Sequence, residues 1–151
     1  MKRFLLLILL SMLSVGGYAQ SSKLQVGAER MELLLPILEG KRVALMVNQS
    51  SLVGATGTHL VDTLLSRGVK VVRLFVQEHG LRGKVDAGKA VKSEIDEKTQ
   101  LPVVSLYGQR RRPTPEMLED VDLLLFDLQD VGTRFYTYIS SMHYLMEACA
   151  E

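Results

Sequence analysis

Four short, almost uniformly apolar segments recur along the chain, and segments with helical spacing of apolar residues alternate with them. Apolar runs of this kind are typical of strands that are covered on both faces of a sheet. Because strands alternate with helices, the sequence favours a mostly parallel sheet with right-handed crossovers. We therefore expect a three-layer α/β domain with at least four strands, at 42–47, 69–76, 102–106 and 122–128.

The helices are predicted from apolar spacing and from residues that favour helix ends. Pro36 is expected to kink the first helix or to end it early. Thr58 is a suitable N-cap for the second helix, and Thr114, which precedes a proline and an acidic residue, is a suitable start for the third. The predicted helices cover 28–38, 59–66, a segment that begins after Thr114, and 136–150.

The first nineteen residues have the pattern of a secretory signal peptide. Two basic residues precede an apolar run over 4–10, and Gly-Tyr-Ala at 17–19 has the form of a cleavage site. This run is short for a membrane span, which needs about 20 residues; a membrane anchor or a buried helix is the alternative. We expect a periplasmic or secreted protein without stable membrane insertion after cleavage, a flexible leader over 20–27 and one domain over 28–151.

The composition excludes several classes of protein. The 18 Lys and Arg against 17 Asp and Glu give a formal charge of +1, which removes bulk charge as an argument for binding nucleic acid. The single cysteine, Cys149, can form neither an internal disulfide nor a Cys-based zinc site. No pair of histidines has i, i+4 spacing, and no glycine-rich or Walker phosphate motif follows the first strand. We predict no metal and no cofactor.

Polar residues follow every predicted strand, and in an open α/β sheet the carboxyl ends of the strands are where ligands bind. The segment 78–101, after the second strand, has little periodicity and is too long for a simple connection, which favours a functional loop. The polar residues at the four strand ends are Asn48 and Gln49, then Glu78, His79 and Arg82, then Tyr107, and finally Asp127, Asp130, Arg134 and Tyr136.

Longer motifs overlap these strand ends: NQ (48–49), EHGLRG (78–83), DAG (86–88), SLYG (105–108), RPTPEM (112–117) and FDLQDVGTRFYTYI (126–139). Together they resemble the exo-β-N-acetylmuramidase family of bacterial glycoside hydrolases from about Gly27 onward. The resemblance implies a Rossmann-like N-terminal domain packed on a second, C-terminal domain that these 151 residues lack. It also implies an active site in the cleft between the two, and release of N-acetylmuramic acid from the non-reducing ends of peptidoglycan fragments.

Glycoside hydrolysis needs a proton donor for the leaving oxygen and usually a second carboxylate. With the family as a guide, we expect Glu78 to be the donor, its pKa raised by a loop that closes over it. Asp127 and Asp130 compete for the second role, and Asp86 is third. Asp130 could instead cap the closing helix. The acetamido group of the substrate could also act as nucleophile, and the sequence leaves retention and inversion both open.

The other strand-end residues are candidates for binding the sugar. Muramic acid carries a lactyl carboxylate, which an arginine recognises well, so we expect Arg82 or Arg134 to contact it and the run 110–112 to be a solvated loop. His79 could bind substrate or only hydrogen-bond its loop. Asn48 and Gln49 are placed to contact ligand, and Tyr107, Tyr136 and Tyr138 could stack on a sugar face, although Tyr138 could equally belong to the core.

Two other functions are compatible with parts of this pattern. A non-catalytic module that binds muramyl sugars or peptides would share the polar strand ends but would not need Glu78 and a second carboxylate. A nucleotide-binding Rossmann module would need phosphate-binding glycines that are missing. Because half of the cleft is absent, we also expect an exposed apolar patch with Tyr136, Tyr144 and Met146 as candidates.

Overall fold

The computed structural model describes residues 24–86, 88–89, 91 and 93–151. The predicted signal peptide and residues 20–23 of the expected leader lie outside the described residues. The helices are α1 (Met31–Leu38), α2 (Leu60–Ser66) and α3 (Tyr138–Ala150), and single 3₁₀ turns cover Gly27–Glu29 and Pro115–Met117. The strands are β1 (Val43–Val47), β2 (Leu52–Val53), β3 (Thr58–His59), β4 (Val71–Val76), β5 (Glu94–Ile95), β6 (Pro102–Ser105) and β7 (Leu123–Asp127).

The main sheet has the strand order β5-β6-β4-β1-β7. Its pairs are parallel except for β5, which runs antiparallel to β6 at one edge. From β1 the chain adds β4 and β6 on one side and then returns to place β7 on the other. This reversal of strand order is the switch point of a Rossmann-like fold. The predicted α/β class with a mostly parallel sheet is confirmed.

Helices cover both faces of the sheet and form the outer layers of a three-layer domain. On one face, Leu38 of α1 and Leu64 of α2 join a buried cluster with alternate residues of β1, β4 and β6. On the other face, Leu145 of α3 packs with Met46 and Phe75. All five residues of β1 are buried, as its apolar sequence predicts, because β1 has a strand on either side and helices on both faces.

The last strand differs from expectation in its environment. The sequence of β7 predicted a strand covered on both faces, yet each of its five residues is only half-buried. The reason is its place at the edge of the described sheet, where one side has no neighbouring strand among the described residues.

Three predicted helices have different limits in the structure. The predicted first helix is divided into the turn at Gly27–Glu29 and α1, which retains Pro36 inside it. Thr58 is not the cap of α2: it belongs to β3, and the His59 side chain takes the capping role. The segment after Thr114 forms only a 3₁₀ turn, and Thr114 makes no side-chain capping bond.

The closing helix starts two residues later than predicted, at Tyr138. The predicted loop at 78–101 is interrupted by the two-residue strand β5, which joins the edge of the sheet. Within the described part of the chain, no helix combines the length and the apolar character that a membrane span requires.

Candidate active site

The carboxyl ends of β1, β4, β6 and β7 lie at one edge of the sheet, because these four strands are parallel. Asn48 follows β1, Glu78 and Tyr107 come two residues after β4 and β6, and Asp127 is the last residue of β7. Glu78 and Asp127 therefore lie at the same end of the sheet, as predicted. Asn48 and Asp127 flank the switch point, where open α/β sheets bind their ligands.

Glu78 is held by two hydrogen-bond donors. Its Oε1 accepts the backbone N–H of Gly88 at 2.8 Å and the hydroxyl of Tyr107 at 2.9 Å. Both donors stabilise the charged form of Glu78 and so lower its pKa, and the N–H of Gly88 has the larger effect. The expectation of a raised pKa is wrong. The loop does reach the carboxylate, but it contributes a hydrogen bond instead of a desolvating cover.

Asp127 has the opposite environment. Burial is the main cause that raises the pKa of its carboxyl group. The Ser51 hydroxyl donates to the backbone carbonyl of Asp127 at 2.5 Å, which ties the turn after β1 to the end of β7. The same edge thus carries one carboxyl group whose pKa is lowered and one whose pKa is raised.

His59 is a buried residue near this edge that sequence reasoning did not select. Its Nε2–H donates to the backbone carbonyl of Asn48 at 2.9 Å, and its Nδ1 accepts the N–H of Val61 at 3.3 Å. Because Nδ1 accepts a hydrogen bond, the ring is neutral in this arrangement, and burial is the main cause that lowers its pKa. Ser51 was also not selected. No local sequence pattern marks either residue. Their roles depend on tertiary contacts, because His59 bonds the residue after β1 and Ser51 bonds the last residue of β7.

Asn48 is buried, and its side chain forms hydrogen bonds with other residues of the protein. Its side-chain N–H₂ donates to the hydroxyl of Tyr138 at 3.2 Å, and its Oδ1 accepts the N–H and the hydroxyl of Ser50. Tyr138 is half-buried, its ring meets that of Tyr136 edge to face at 5.5 Å, and burial is the main cause that raises its pKa. Asn48 and Tyr138 therefore join the end of β1 to the start of α3.

Two candidate ligands of the sugar are engaged in holding the loop after β4. The Nδ1–H of His79 donates to the backbone carbonyl of Val85 at 2.8 Å, which is the loop-bonding alternative. Arg82 forms a two-pronged ion pair with Asp96, at 3.3 and 3.1 Å, and lies 3.7 Å from Asp62. A guanidinium engaged in this way has little capacity for a substrate carboxylate.

The remaining candidates are exposed at the edge. Asp130 accepts the N–H of Gly132 at 2.7 Å within a turn and does not cap α3, whose N-cap position is Thr137. Asp86, exposed on the loop, pairs with Lys89 at 2.7 Å. Three further candidates have solvent-exposed side chains that a bound sugar could contact: Gln49, Arg134 and Tyr136.

A cavity of about 640 Å³ lies under the 78–101 loop and not at the switch point. Apolar residues such as Val76 and Val103 and the paired Arg82 and Asp96 line it, whereas neither Glu78 nor Asp127 does. Among the described residues, no group of three or more His, Cys, Asp or Glu is arranged to hold a metal ion.

A Rossmann-like domain with Glu78 and Asp127 at the carboxyl edge of its parallel strands belongs to the class of α/β proteins that bind ligands beyond their strand ends. Comparison with known proteins gives the family. The family described as exo-beta-N-acetylmuramidase NamZ, N-terminal, matches residues 43–151. The chain belongs to this family.

A curated relative and two solved structures agree with that assignment. The chain is 49% identical over 138 residues to the peptidoglycan beta-N-acetylmuramidase NamZ of Bacillus subtilis (strain 168), covering 88% of this chain and 32% of the relative. Two crystal structures of DUF1343 family proteins from Bacteroides fragilis NCTC 9343 also match. One has a TM-score of 0.68 at 45% identity and the other 0.69 at 42%, covering 79% and 82% of this chain and 29% and 31% of theirs. The chain thus spans about a third of the length of these relatives.

Proposed function

We propose that the full-length protein is an exo-β-N-acetylmuramidase, which hydrolyses the glycosidic bond of N-acetylmuramic acid at the non-reducing ends of peptidoglycan fragments. Family membership and the 49% identical relative support this proposal. The observation that carries it is the pair of carboxyl groups, Glu78 and Asp127, at one edge of the sheet with opposite pKa shifts. Opposed environments of this kind separate the acid from the base in many hydrolases.

On these pKa directions, we propose roles opposite to those that the sequence suggested. Glu78, favoured as a carboxylate by its two donors, is proposed as the nucleophile or as the base that activates water. Asp127, whose pKa is raised by burial, is proposed as the donor that protonates the leaving glycosidic oxygen. Hydrolysis then places the proton on the leaving sugar and the hydroxyl of water on the anomeric carbon.

Recognition of the lactyl carboxylate is proposed for Arg134. It is exposed at the edge, whereas Arg82 is committed to Asp96 and Asp62. The exposed ring of Tyr136 lies two residues further on and is proposed to stack on the sugar. The proposed cleft requires a second wall, and we assign it to a C-terminal domain in the rest of the longer protein, since the relatives are about three times as long as this chain.

The proposed place of action follows from the N-terminal sequence. Cleavage of the signal peptide would release the protein to the periplasm or the exterior, where peptidoglycan fragments occur. Activity detected in the periplasmic or culture fraction, and its loss from that fraction when residues 2–19 are deleted, would support this assignment.

The activity is tested by incubating the full-length protein with chromogenic β-N-acetylmuramide and, in parallel, with β-N-acetylglucosaminide, which lacks the lactyl group. We expect turnover of the first and at least about tenfold lower kcat/KM for the second, because the arginine–carboxylate contact is absent. Binding of the muramide without any turnover would instead support the non-catalytic binding module. Equal turnover of the two substrates would contradict the assignment to muramic acid.

A further inference from the structure

Glu78 and Tyr107 are brought together by the register of two parallel strands. β4 and β6 pair Val76 with Ser105, so the residues two positions further along, Glu78 and Tyr107, leave the sheet side by side. The Tyr107 hydroxyl donates to Oε1 of Glu78 at 2.9 Å. The strand register therefore brings these two residues close enough for the contact.

A second donor reaches the same oxygen from the loop. The N–H of Gly88 donates to Oε1 of Glu78 at 2.8 Å. Gly88 has a φ of +75°, a conformation that side chains rarely adopt, and a Cβ at this position would meet nothing within 4 Å. The glycine is thus required by the backbone conformation that presents the N–H to Glu78, and not by lack of space.

The loop that carries Gly88 is anchored by two side chains that follow Glu78. His79 holds the carbonyl of Val85, and Arg82 joins the loop to Asp96. These bonds restrict the loop at two points between Glu78 and Gly88. Tyr107 follows a strand end and Gly88 lies on an anchored loop, so the backbone that carries each donor is restrained.

The two oxygens of Glu78 are not equivalent. Oε1 accepts both donors, whereas no donor among the described residues lies within hydrogen-bond distance of Oε2. Hydrogen bonds to one oxygen fix the rotation of the carboxyl plane and stabilise its negative charge. Oε2 is thus the oxygen left to meet water or a sugar.

We propose that Tyr107 is a positioning residue that acts through Glu78: with the Gly88 N–H it holds Oε1, so that Oε2 is presented to the substrate as part of an ionised carboxylate. This inference rests on the proposed function. It assigns the Tyr107 hydroxyl to Glu78, in place of the sugar-stacking role that the sequence suggested.

The test is the pH dependence of kcat/KM for Tyr107→Phe in the full-length protein. Loss of one of two donors raises the pKa of Glu78, so a higher pH is needed to ionise it. We expect the acidic limb of the profile to shift upward by about half a unit to one unit. Ser66→Ala is the control, because it removes an exposed hydroxyl that donates to the carbonyl of Thr63 at the C-terminal end of α2 and leaves Glu78 untouched; its profile should coincide with that of the wild type.

A monofluorinated tyrosine at position 107 provides a second variant that keeps the shape of the side chain. Its more acidic phenol is a stronger donor, so the acidic limb should shift downward, opposite to the effect of Tyr107→Phe. Thermal unfolding of both variants shows whether each one folds. If Tyr107→Phe does not fold, the fluorinated variant still tests the inference.

Several outcomes would overturn the inference. An acidic limb that stays in place in both variants would show that Tyr107 does not act through Glu78. A shift of the alkaline limb alone would show that Glu78 works in its protonated form. Glu78→Gln separates this inference from the proposed function: full activity of that variant contradicts the function of Glu78, whereas its inactivity together with unmoved Tyr107 profiles contradicts only the positioning role.

Discussion

Gly83 allows the loop after β4 to approach the end of β1 closely. Its φ is +67°, and a Cβ at this position would lie 3.1 Å from both Cβ and Cγ of Gln49. A contact this short requires the neighbour to move, and the Cβ of Gln49 is fixed by its own backbone. Glycine is thus favoured at position 83 both by the positive φ and by the lack of space for a Cβ next to Gln49, which lies beside the proposed site.

We expect Gly83→Ala to destabilise the protein more than Gly54→Ala. Gly54 has a similar φ of +70° but open space around the position of its Cβ, so its alanine variant reports the backbone strain alone, about 1–2 kcal/mol. Gly83→Ala should add the cost of displacing Gln49. Chemical denaturation of both variants measures the difference in the free energy of unfolding, and equal losses would show that the contact with Gln49 relaxes freely.

For the site residues, the sequence predicted their placement at strand ends but not their hydrogen-bond partners or the direction of the Glu78 pKa shift. The sequence placed Glu78 and Asp127 at strand ends because apolar runs stop there. The donors that lower the pKa of Glu78 lie 10 and 29 positions away in the chain, and no local pattern shows where their hydrogen bonds go. The commitment of Arg82 to Asp96 is likewise visible only once β5 is placed at the edge of the sheet.

Among the elements, β1 and β7 are joined at their amino ends by Arg42 and Asp122. The guanidinium of Arg42 contacts both carboxylate oxygens, at 3.1 and 2.8 Å, and its backbone N–H donates to Oδ2 at 2.8 Å. The side-chain bond from Arg42 is the main cause that lowers the pKa of Asp122 well below its usual range. The pair aligns the strand whose far end carries Asp127 with the centre of the sheet.

We expect Asp122→Asn to lower the Tm at neutral pH. Since the pKa of Asp122 is depressed by folding, its stabilisation is complete above the unfolded value of 3.8 and is lost as the pH falls through the lower folded value. The difference in Tm between wild type and variant should therefore narrow below about pH 3.8. Asp86→Asn, which breaks only an exposed pair with Lys89, is the control and should change the Tm little. A Tm difference for Asp122→Asn that persists unchanged at pH 2 would contradict this account.

The elements themselves were more predictable than their ends. The apolar run of β1 identifies a central strand because a sheet with helices on both faces buries every residue of it. By contrast, Thr114 and Pro115 have the local pattern of a helix start, but the chain forms only a 3₁₀ turn over Pro115–Met117 before it enters β7 at Leu123. Tertiary placement of β7 therefore overrides the local propensity.

For the whole molecule, α3 and the segment before it leave a broad apolar surface exposed. Phe135 is 94% exposed, Ile139 66% and Met146 64%. Of the three residues predicted for such a patch, Tyr136 and Met146 are exposed and Tyr144 is half-buried. An exposed apolar patch on a folded domain marks a surface that meets a partner, and we expect the rest of the longer protein to cover it.

The carboxyl edge and this apolar surface lie next to each other, since Tyr138 at the start of α3 accepts the hydrogen bond of Asn48 at the end of β1. A domain packed on α3 would therefore stand beside Glu78 and Asp127 and complete a cleft over them. Exclusion of water by that second wall would strengthen the electrostatic interactions at the site. The proposed activity accordingly belongs to the longer protein.

The most direct test of the central claim is the turnover of chromogenic β-N-acetylmuramide by full-length Glu78→Gln. Glutamine keeps the shape and the Tyr107 contact but cannot act as base or nucleophile. We predict that kcat falls by at least about 100-fold while KM stays within a few-fold of the wild type, and that the exposed Glu119→Gln control keeps wild-type kinetics. A Glu78→Gln protein with near wild-type kcat would contradict the account.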